Sequence, residues 1–248
     1  MRALILAAGV GSRLMPLTAD RPKALVEVAG VPLIARILKA CADAGADEAV
    51  VVTGYLRERL ERWLDTTALP LPVRTVWNAE HATINNAHSL FVAREALEGD
   101  DFVKLDGDLL LSPALLVRLM TGASRTAALV DAKAELDPEA MKAVIREDGS
   151  IAAFGKWLSL DEASGESIGV ERIAREDAGA LFEAIGEVVH REGNHAAYYE
   201  DVYHRLLTRG SWRMTALDTG GLPWTEIDDA ADLERASAVA EAIAGART

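Results

Sequence analysis

Ala3-Leu4-Ile5-Leu6-Ala7-Ala8-Gly9-Val10-Gly11-Ser12-Arg13-Leu14 begins as an aliphatic run and turns abruptly into a glycine loop with a basic end. Ala3 to Ala7 reads as a buried strand, because a strand covered on both faces is apolar continuously rather than alternately. Two glycines two apart let the backbone turn sharply and aim N–H groups at an anion, with the Ser12 hydroxyl as a further donor. Downstream stand Pro16-Leu17-Thr18 and Arg21-Pro22-Lys23-Ala24-Leu25. Arg13 offers phosphate a planar fork, and Lys23, placed by Pro22, offers a point charge. A bare Gly-x-Gly turn also serves as a plain strand-to-helix connection; the basic pair favours an anion site. The loop lacks the Gly-Lys-Ser/Thr ending of the nucleotide P-loop, and Leu14 stands where the dinucleotide fingerprint needs a third glycine.

Outward from this loop, short aliphatic runs alternate with helix-period segments, the pattern of βαβ units on a largely parallel sheet. Strands are expected at Glu48 to Val52, Val73 to Trp77 and Phe102 to Leu105, and helices at Pro32 to Ala44, Arg57 to Leu64, His88 to Leu97 and Pro113 to Met120. In the second half, Ala143 to Ile145 and Ile151 to Phe154 flank Asp148-Gly149, a pair suited to a tight hairpin, and so predict an antiparallel insertion. A strand at Ile168 to Glu171, helices at Ala178 to Val189 and Tyr199 to Leu207, a strand at Trp212 to Ala216 and a last helix from Ala230 to Ala244 follow. No repeat or linker divides the chain, so residues 1–248 are expected to form one α/β domain with a mixed, mostly parallel central sheet.

The formal charge of −13 speaks against a nucleic-acid partner, which needs many Lys and Arg side chains to displace counterions. The single cysteine, Cys41, falls on the apolar face set by Leu33, Ile34, Ile37 and Leu38 and reads as packing. The N-terminal run stops at Gly9, with Arg13 close behind, so it reads as a strand and not a leader. No apolar run of about 18 residues marks a membrane span, and a cytoplasmic protein is expected. Homo-oligomer formation is left open.

Two groups of acids suggest a hard cation. Asp106-Gly107-Asp108 follows the strand Phe102 to Leu105, at the carboxyl end where open α/β sheets bind ligands. Asp108 fits a Mg²⁺ ligand, with Asp106 beside it as a nucleotide contact; the bland alternative is an acidic turn. In Trp224-Thr225-Glu226-Ile227-Asp228-Asp229, Glu226 and Asp228, two positions apart, point to one side of an extended stretch. Asp228 or Asp229 could equally cap the helix from Ala230. Asn78, Asn85 and Asn86 carry the amides a nucleobase edge needs, or else serve as turn and cap residues. Lys156 could bind an acceptor phosphate. Tyr198, Tyr199, Glu200 and Asp201 combine aromatic faces with carboxylates, a set able to hold an ammonium, or simply an acidic helix start. The five histidines form no H-x-x-x-H or H-E-x-x-H spacing and read as surface or structural.

The segment Leu6 to Leu14 with Pro22-Lys23-Ala24-Leu25 resembles the signature of the nucleotidyltransferase superfamily that makes nucleotide sugars and CDP-alcohols. Asn85-Asn86-Ala87-His88-Ser89-Leu90, Ser164 to Gly169 and Tyr198 to Asp201 are most similar to its phosphocholine and 2-aminoethylphosphonate cytidylyltransferase branch. The resemblance implies a Rossmann-like three-layer fold and Mg²⁺-dependent CMP transfer from CTP, or another NTP, to a small phosphorylated or phosphonate acceptor. It further implies Arg13 and Lys23 as catalytic, and Asp108, Glu226 and Asp228 as metal ligands. The base would lie between the Asn segment and the Ala7-Ala8-Gly9 backbone, with Gly11, Ser12 and Asp106 completing the nucleotide site, and Lys156 would hold the acceptor phosphate. The rivals are a sugar-1-phosphate or inositol-1-phosphate nucleotidyltransferase, and a catalytically silent nucleotide-binding regulator.

Overall fold

The computed structural model describes residues 1–122 and 124–245. In chain order they form β1 (Arg2–Ala7), β2 (Glu27–Val28), β3 (Val31–Pro32), α1 (Leu33–Asp43), β4 (Glu48–Thr53), α2 (Arg57–Thr66), β5 (Val73–Trp77), α3 (Asn86–Val92), α4 (Arg94–Leu97), β6 (Phe102–Asp106) and β7 (Leu109–Leu111). There follow α5 (Pro113–Thr121), β8 (Ala127–Asp131), β9 (Lys142–Ile145), β10 (Ile151–Gly155), β11 (Gly165–Ile173), α6 (Arg175–Ile185), α7 (Tyr199–Thr208), β12 (Thr215–Asp218), β13 (Trp224–Glu226) and α8 (Ala230–Gly245).

The main sheet runs β10-β9-β11-β6-β1-β4-β5, with β8 paired to both β11 and β12. Its centre, β6-β1-β4-β5, is parallel, and β11 turns the sheet antiparallel where it meets β6. Alternate residues of the central strands serve opposite cores. Leu4, Leu6, Val50 and Val52 pack under α3, α4, α6 and α7, while Ala3, Ile5, Ala49 and Val51 pack under α1, α2 and α5. The arrangement is a three-layer α/β sandwich, and it explains why β1 and β4 are apolar throughout. A smaller core, built from Leu14, Val28, Leu33, Leu110 and Ile227, seats α8 beside the glycine loop.

The hairpin expected at Asp148-Gly149 is present: Gly149 takes φ 76°, and β9 and β10 pair antiparallel across it. Several elements differ from the sequence reading. The expected strand from Trp212 begins only at Thr215, and Trp212 instead buries its ring while its indole N–H donates to Asp177 O at 3.2 Å. The helix expected over His88 to Leu97 is two, α3 and α4, meeting at Ala93. β7 and β13 are too short to show a period and emerge through pairing, while β8, a continuous aliphatic run of the same kind as β1, is a strand the sequence reading leaves out. No helix among the described residues is long and apolar enough to cross a membrane.

Candidate active site

The carboxyl ends of β1 and β6 meet at the glycine loop. Gly107 N–H donates to Leu6 O at 2.9 Å, and a Cβ at Gly107 would lie 2.5 Å from that same oxygen. Glycine is needed there for close approach. Gly11 adopts φ 64°, a left-handed conformation, and its carbonyl accepts the Thr18 hydroxyl at 2.8 Å, closing the loop over Lys23.

Residues more than a hundred positions apart converge on this loop because β7 and β13 pair antiparallel, setting Glu226 opposite Leu109, while Ile227 N–H donates to Asp108 O at 3.1 Å. The Asp108, Glu226 and Asp228 side chains thereby each offer an oxygen within 4.8 Å of the others. Lys23 reaches Asp108 Oδ2 at 2.7 Å and Asp228 Oδ1 at 2.6 Å, and Arg13 reaches Asp228 Oδ2 at 2.6 Å. The two readings of the Glu226 to Asp232 segment divide between different residues. Asp229 Oδ1 accepts the Ala231 and Asp232 N–H groups, and Asp232 Oδ2 accepts those of Asp228 and Asp229. Capping therefore falls to Asp229 and Asp232, and the Asp228 side chain faces the site.

The electrostatics follow from crowding. Burial alone would lower the Lys23 pKa, but Asp108 and Asp228 outweigh it and hold the ammonium above the ordinary lysine range. Burial, then repulsion from Asp108, Asp228 and Asp106, pushes the Glu226 carboxyl up to about 9, although the residue as a whole is open to solvent. Asp108 Oδ1 is buried without a hydrogen-bond partner among the described residues. An orphaned carboxylate oxygen beside two further carboxylates is a hard-oxygen donor set, and it fits Mg²⁺.

Two cavities flank the cluster. The first, of about 230 Å³, is lined by Leu6 to Gly9, Lys23, His81, Asn85, Asn86, Ser89, Asp106 to Asp108 and Glu226. Of the residues assigned to the nucleotide from sequence, it gathers Ala7, Ala8, Gly9, Asn85, Asn86 and Asp106. It does not gather Asn78, which is buried and serves a turn: its amide donates to Ser89 Oγ at 3.0 Å and its carbonyl oxygen accepts Glu80 N–H at 2.9 Å. Gly11 and Ser12 stand on the loop outside this lining. Asn85 caps α3 by accepting Asn86 N–H at 2.8 Å. His81 is also on this wall, its Nδ1 3.1 Å from Asn78 O.

The second cavity, of about 200 Å³, is lined by Arg13, Lys156, Tyr198, Tyr199 and Glu200, and also by Glu139, Glu166 and Asp228. Asn86, Asp106 and Glu226 line both cavities. Lys156 lies 3.4 Å from Glu139 and 5.3 Å from the centroid of the Tyr198 ring. Two expectations for the acceptor change here. The Tyr199 ring is buried with the Lys104 ammonium 3.4 Å from its centroid, so that face already holds an internal cation. Asp201 lies outside the lining; it closes a capping box at the start of α7, accepting Tyr198 N–H at 2.9 Å. Glu166, absent from the residues assigned by sequence, is half-buried, and among the described residues its carboxylate makes no hydrogen bond or ion pair. Burial, then Asp137 and Asp131, pushes it up to about 7. Its only sequence signal was its place in the Ser164 to Gly169 segment.

Comparison with known proteins follows the same lines. The family model described as nucleotidyl transferase matches residues 2–141. The CMP-5'-(3-aminopropyl)phosphonate synthase of Streptomyces rubellomurinus is 33% identical over 95% of this chain, and the match spans 38% of that longer protein. The CTP:phosphoglutamine cytidylyltransferase of Campylobacter jejuni is 27% identical over 94% of this chain and 98% of its own length. Among solved structures, the inositol-1-phosphate CTP transferase from T. maritima superposes with a TM-score of 0.79 at 25% identity, covering 98% of this chain and 95% of that one.

Proposed function

Because the chain belongs to the nucleotidyl transferase family, we propose that it transfers CMP from CTP to a small acceptor carrying a phosphate or phosphonate and an amine, releasing pyrophosphate. The observation that carries this reading is the convergence of Lys23, Asp108, Glu226 and Asp228 at the junction of two cavities. Residues 1–248 would act as one nucleotidyltransferase domain.

In this reading CTP takes the first cavity, its base against the Ala7-Ala8-Gly9 backbone and the Asn85-Asn86 segment, and the acceptor takes the second. A phosphate monoester loses its second proton near about pH 6, so its oxygen is already a nucleophile at neutral pH and no catalytic base is required. That oxygen attacks the α-phosphorus in line, and the bond to the pyrophosphate oxygen breaks. Lys23 and Arg13 offset the charge that moves onto the leaving group. Asp108, Glu226 and Asp228 would hold Mg²⁺, which when bound supplies Lewis-acid stabilisation of phosphoryl oxygens.

The second cavity is rich in carboxylates: Asp106, Glu139, Glu166, Glu200, Glu226 and Asp228 stand against Arg13 and Lys156. The hydroxyls of a polyol can donate hydrogen bonds to these acids but bring no charge to offset them, whereas an ammonium-bearing acceptor brings both. Lys156 or Arg13 would then meet the acid end of the acceptor. The likeness to an aminopropylphosphonate synthase supports the same class. The likeness to an inositol-1-phosphate CTP transferase supports the rival polyol acceptor. The intact Arg13, Lys23, Asp108 and Asp228 favour an enzyme over a silent regulator. The deciding experiment is pyrophosphate release across four NTPs and 2-aminoethylphosphonate, phosphocholine, myo-inositol-1-phosphate and glucose-1-phosphate. CTP with an amine-bearing acceptor is the expected winner; a polyol phosphate winning would overturn the acceptor, and no turnover in any well would overturn the activity.

A further inference from the structure

Behind the wall between the two cavities lies a lysine that the reaction above does not use. Lys104, in the middle of β6, is completely buried. An ammonium has three protons, and three oxygens surround this one: Glu171 Oε2 at 3.0 Å, Asp106 Oδ1 at 3.2 Å and Gly169 O at 3.2 Å. Its remaining side rests on the Tyr199 ring, 3.4 Å from the centroid. The chain of contacts continues outward. Asp106 Oδ2 accepts the Tyr199 hydroxyl at 2.6 Å, and Tyr199 N–H donates to Asn86 Oδ1 at 3.0 Å. Gly169, at φ +71°, passes so close that a side chain there would collide with Asp106 Oδ2.

A buried ion pair is a weak device for stability, because desolvation offsets most of the attraction, and an apolar residue like the flanking Val103 and Leu105 would fill this strand position more cheaply. The partners of Lys104 suggest what the charge is for. Asp106 and Asn86 both line both cavities, and both are reached from Lys104, one directly and one through Tyr199. With one Asp106 oxygen on Lys104 and the other on the Tyr199 hydroxyl, that carboxylate does not join the group formed by Asp108, Glu226 and Asp228.

We infer that Lys104 is a positioning residue: through Asp106 and Tyr199 it fixes the partition between the nucleotide and acceptor cavities, and so sets how the acceptor is seated. The inference rests on the acceptor occupying the second cavity. Removing Lys104 alone would strand Glu171, so the test replaces both charges, Lys104→Met with Glu171→Leu, and adds Tyr199→Phe as a smaller cut in the same chain. Steady-state kinetics are measured with CTP and 2-aminoethylphosphonate, or with whichever acceptor the wild-type protein turns over best. Each variant should raise the acceptor KM by about tenfold while kcat and the CTP KM stay within about threefold. A crystal structure of the double variant should show the Asp106 carboxylate rotated from its present place. A wild-type preference for another acceptor sinks the amine reading and leaves this test running. An acceptor KM within about twofold of wild type in Tyr199→Phe, equal losses in all three constants, or an unmoved Asp106 in the double variant overturns the inference. If the double variant does not fold, Lys104→Gln, which keeps a donor toward Asp106 and Glu171, takes its place in the same kinetics and crystal structure.

Discussion

The Lys23 ammonium lies 2.6 Å from Asp228 Oδ1, joining residues 205 positions apart, one on the wall of each cavity. The same ammonium reaches Asp108, so one lysine ties the glycine loop to two of the three carboxylates proposed to hold the cation. If Lys23 stabilises charge that develops on the leaving pyrophosphate, Lys23→Ala lowers kcat more than it raises the CTP KM, by about tenfold or more. A change confined to KM would show that Lys23 contributes only uniform binding.

The carboxylates predict metal dependence. Asp108→Asn and Asp228→Asn should each lower turnover by about a hundredfold or more, a loss of about 3 kcal/mol of transition-state stabilisation, with circular dichroism unchanged. EDTA should abolish activity, and added Mg²⁺ should restore it. Full activity in EDTA, or near-normal turnover in both variants, would remove the cation from the mechanism.

Gly107 gives a prediction about stability. A Cβ there would stand 2.5 Å from Leu6 O and 3.0 Å from Ala7 Cα, both backbone atoms that cannot move aside as a side-chain tip would. Gly107→Ala should therefore cost about 1 to 3 kcal/mol in urea unfolding, the usual range for overpacking. It should also lower activity, since the strain falls between Asp106 and Asp108. An unchanged unfolding midpoint would mean that the ends of β1 and β6 are looser than this contact implies.

What could be read from the chain depended on whether a feature is contiguous. The loop from Ala7 to Arg13, Pro22-Lys23 and Asp106-Gly107-Asp108 are local patterns, and the parallel core announces itself through aliphatic runs. The pairing of β7 with β13, which carries Glu226 and Asp228 to Asp108, joins two three-residue strands too short to show a period. Glu226 and Asp228 could be picked out as a same-side pair, but not what delivers them. Asn78 and Asp201 looked available because Asn and Asp serve turns and caps as readily as ligands; only their partners tell the uses apart. Lys104 carried no signal and Glu166 only its place in the Ser164 to Gly169 segment, since each owes its role to strands that meet far apart in sequence.

The buried glutamates around Lys104 set a pH dependence of stability. Burial, only partly offset by Lys104, pushes Glu171 up to about 7 and Glu200 up to about 8. Both values lie above those of the unfolded chain, so the folded protein binds more protons in this window. Stability is then greatest below the ordinary glutamate pKa and falls as pH rises through the folded values. Glu166 acts in the same direction, while His88, lowered by burial, opposes it below neutrality. The Tm of the metal-free protein should fall between about pH 6 and about pH 9, and Glu200→Gln should flatten that slope and raise Tm at its alkaline end. A Tm that rises across this range, or a Glu200→Gln protein less stable at alkaline pH, would show that these carboxylates are better paired when ionised than their burial implies.

The last prediction concerns how the acceptor is told from its competitors. Glu166 faces the second cavity with no hydrogen-bond or ion-pair partner among the described residues, so it is free to meet the ammonium of an acceptor whose phosphonate is held at Lys156 or Arg13. A charge-assisted hydrogen bond of this kind contributes about 1.5 to 3 kcal/mol, so losing it should cost about tenfold to a hundredfold. Glu166→Gln should therefore reduce kcat/KM for 2-aminoethylphosphonate by that factor, while ethylphosphonate, which has the same acid and no amine, changes less than about twofold. The comparison belongs above pH 7, where the Glu166 carboxyl, pushed up to about 7, is ionised before the acceptor arrives. Equal losses on both compounds would mean that Glu166 shapes the cavity and does not read the amine. A loss on neither would move the ammonium to Glu200 or Glu139, the other carboxylates on that wall outside the cation cluster and the Lys104 network's Asp106.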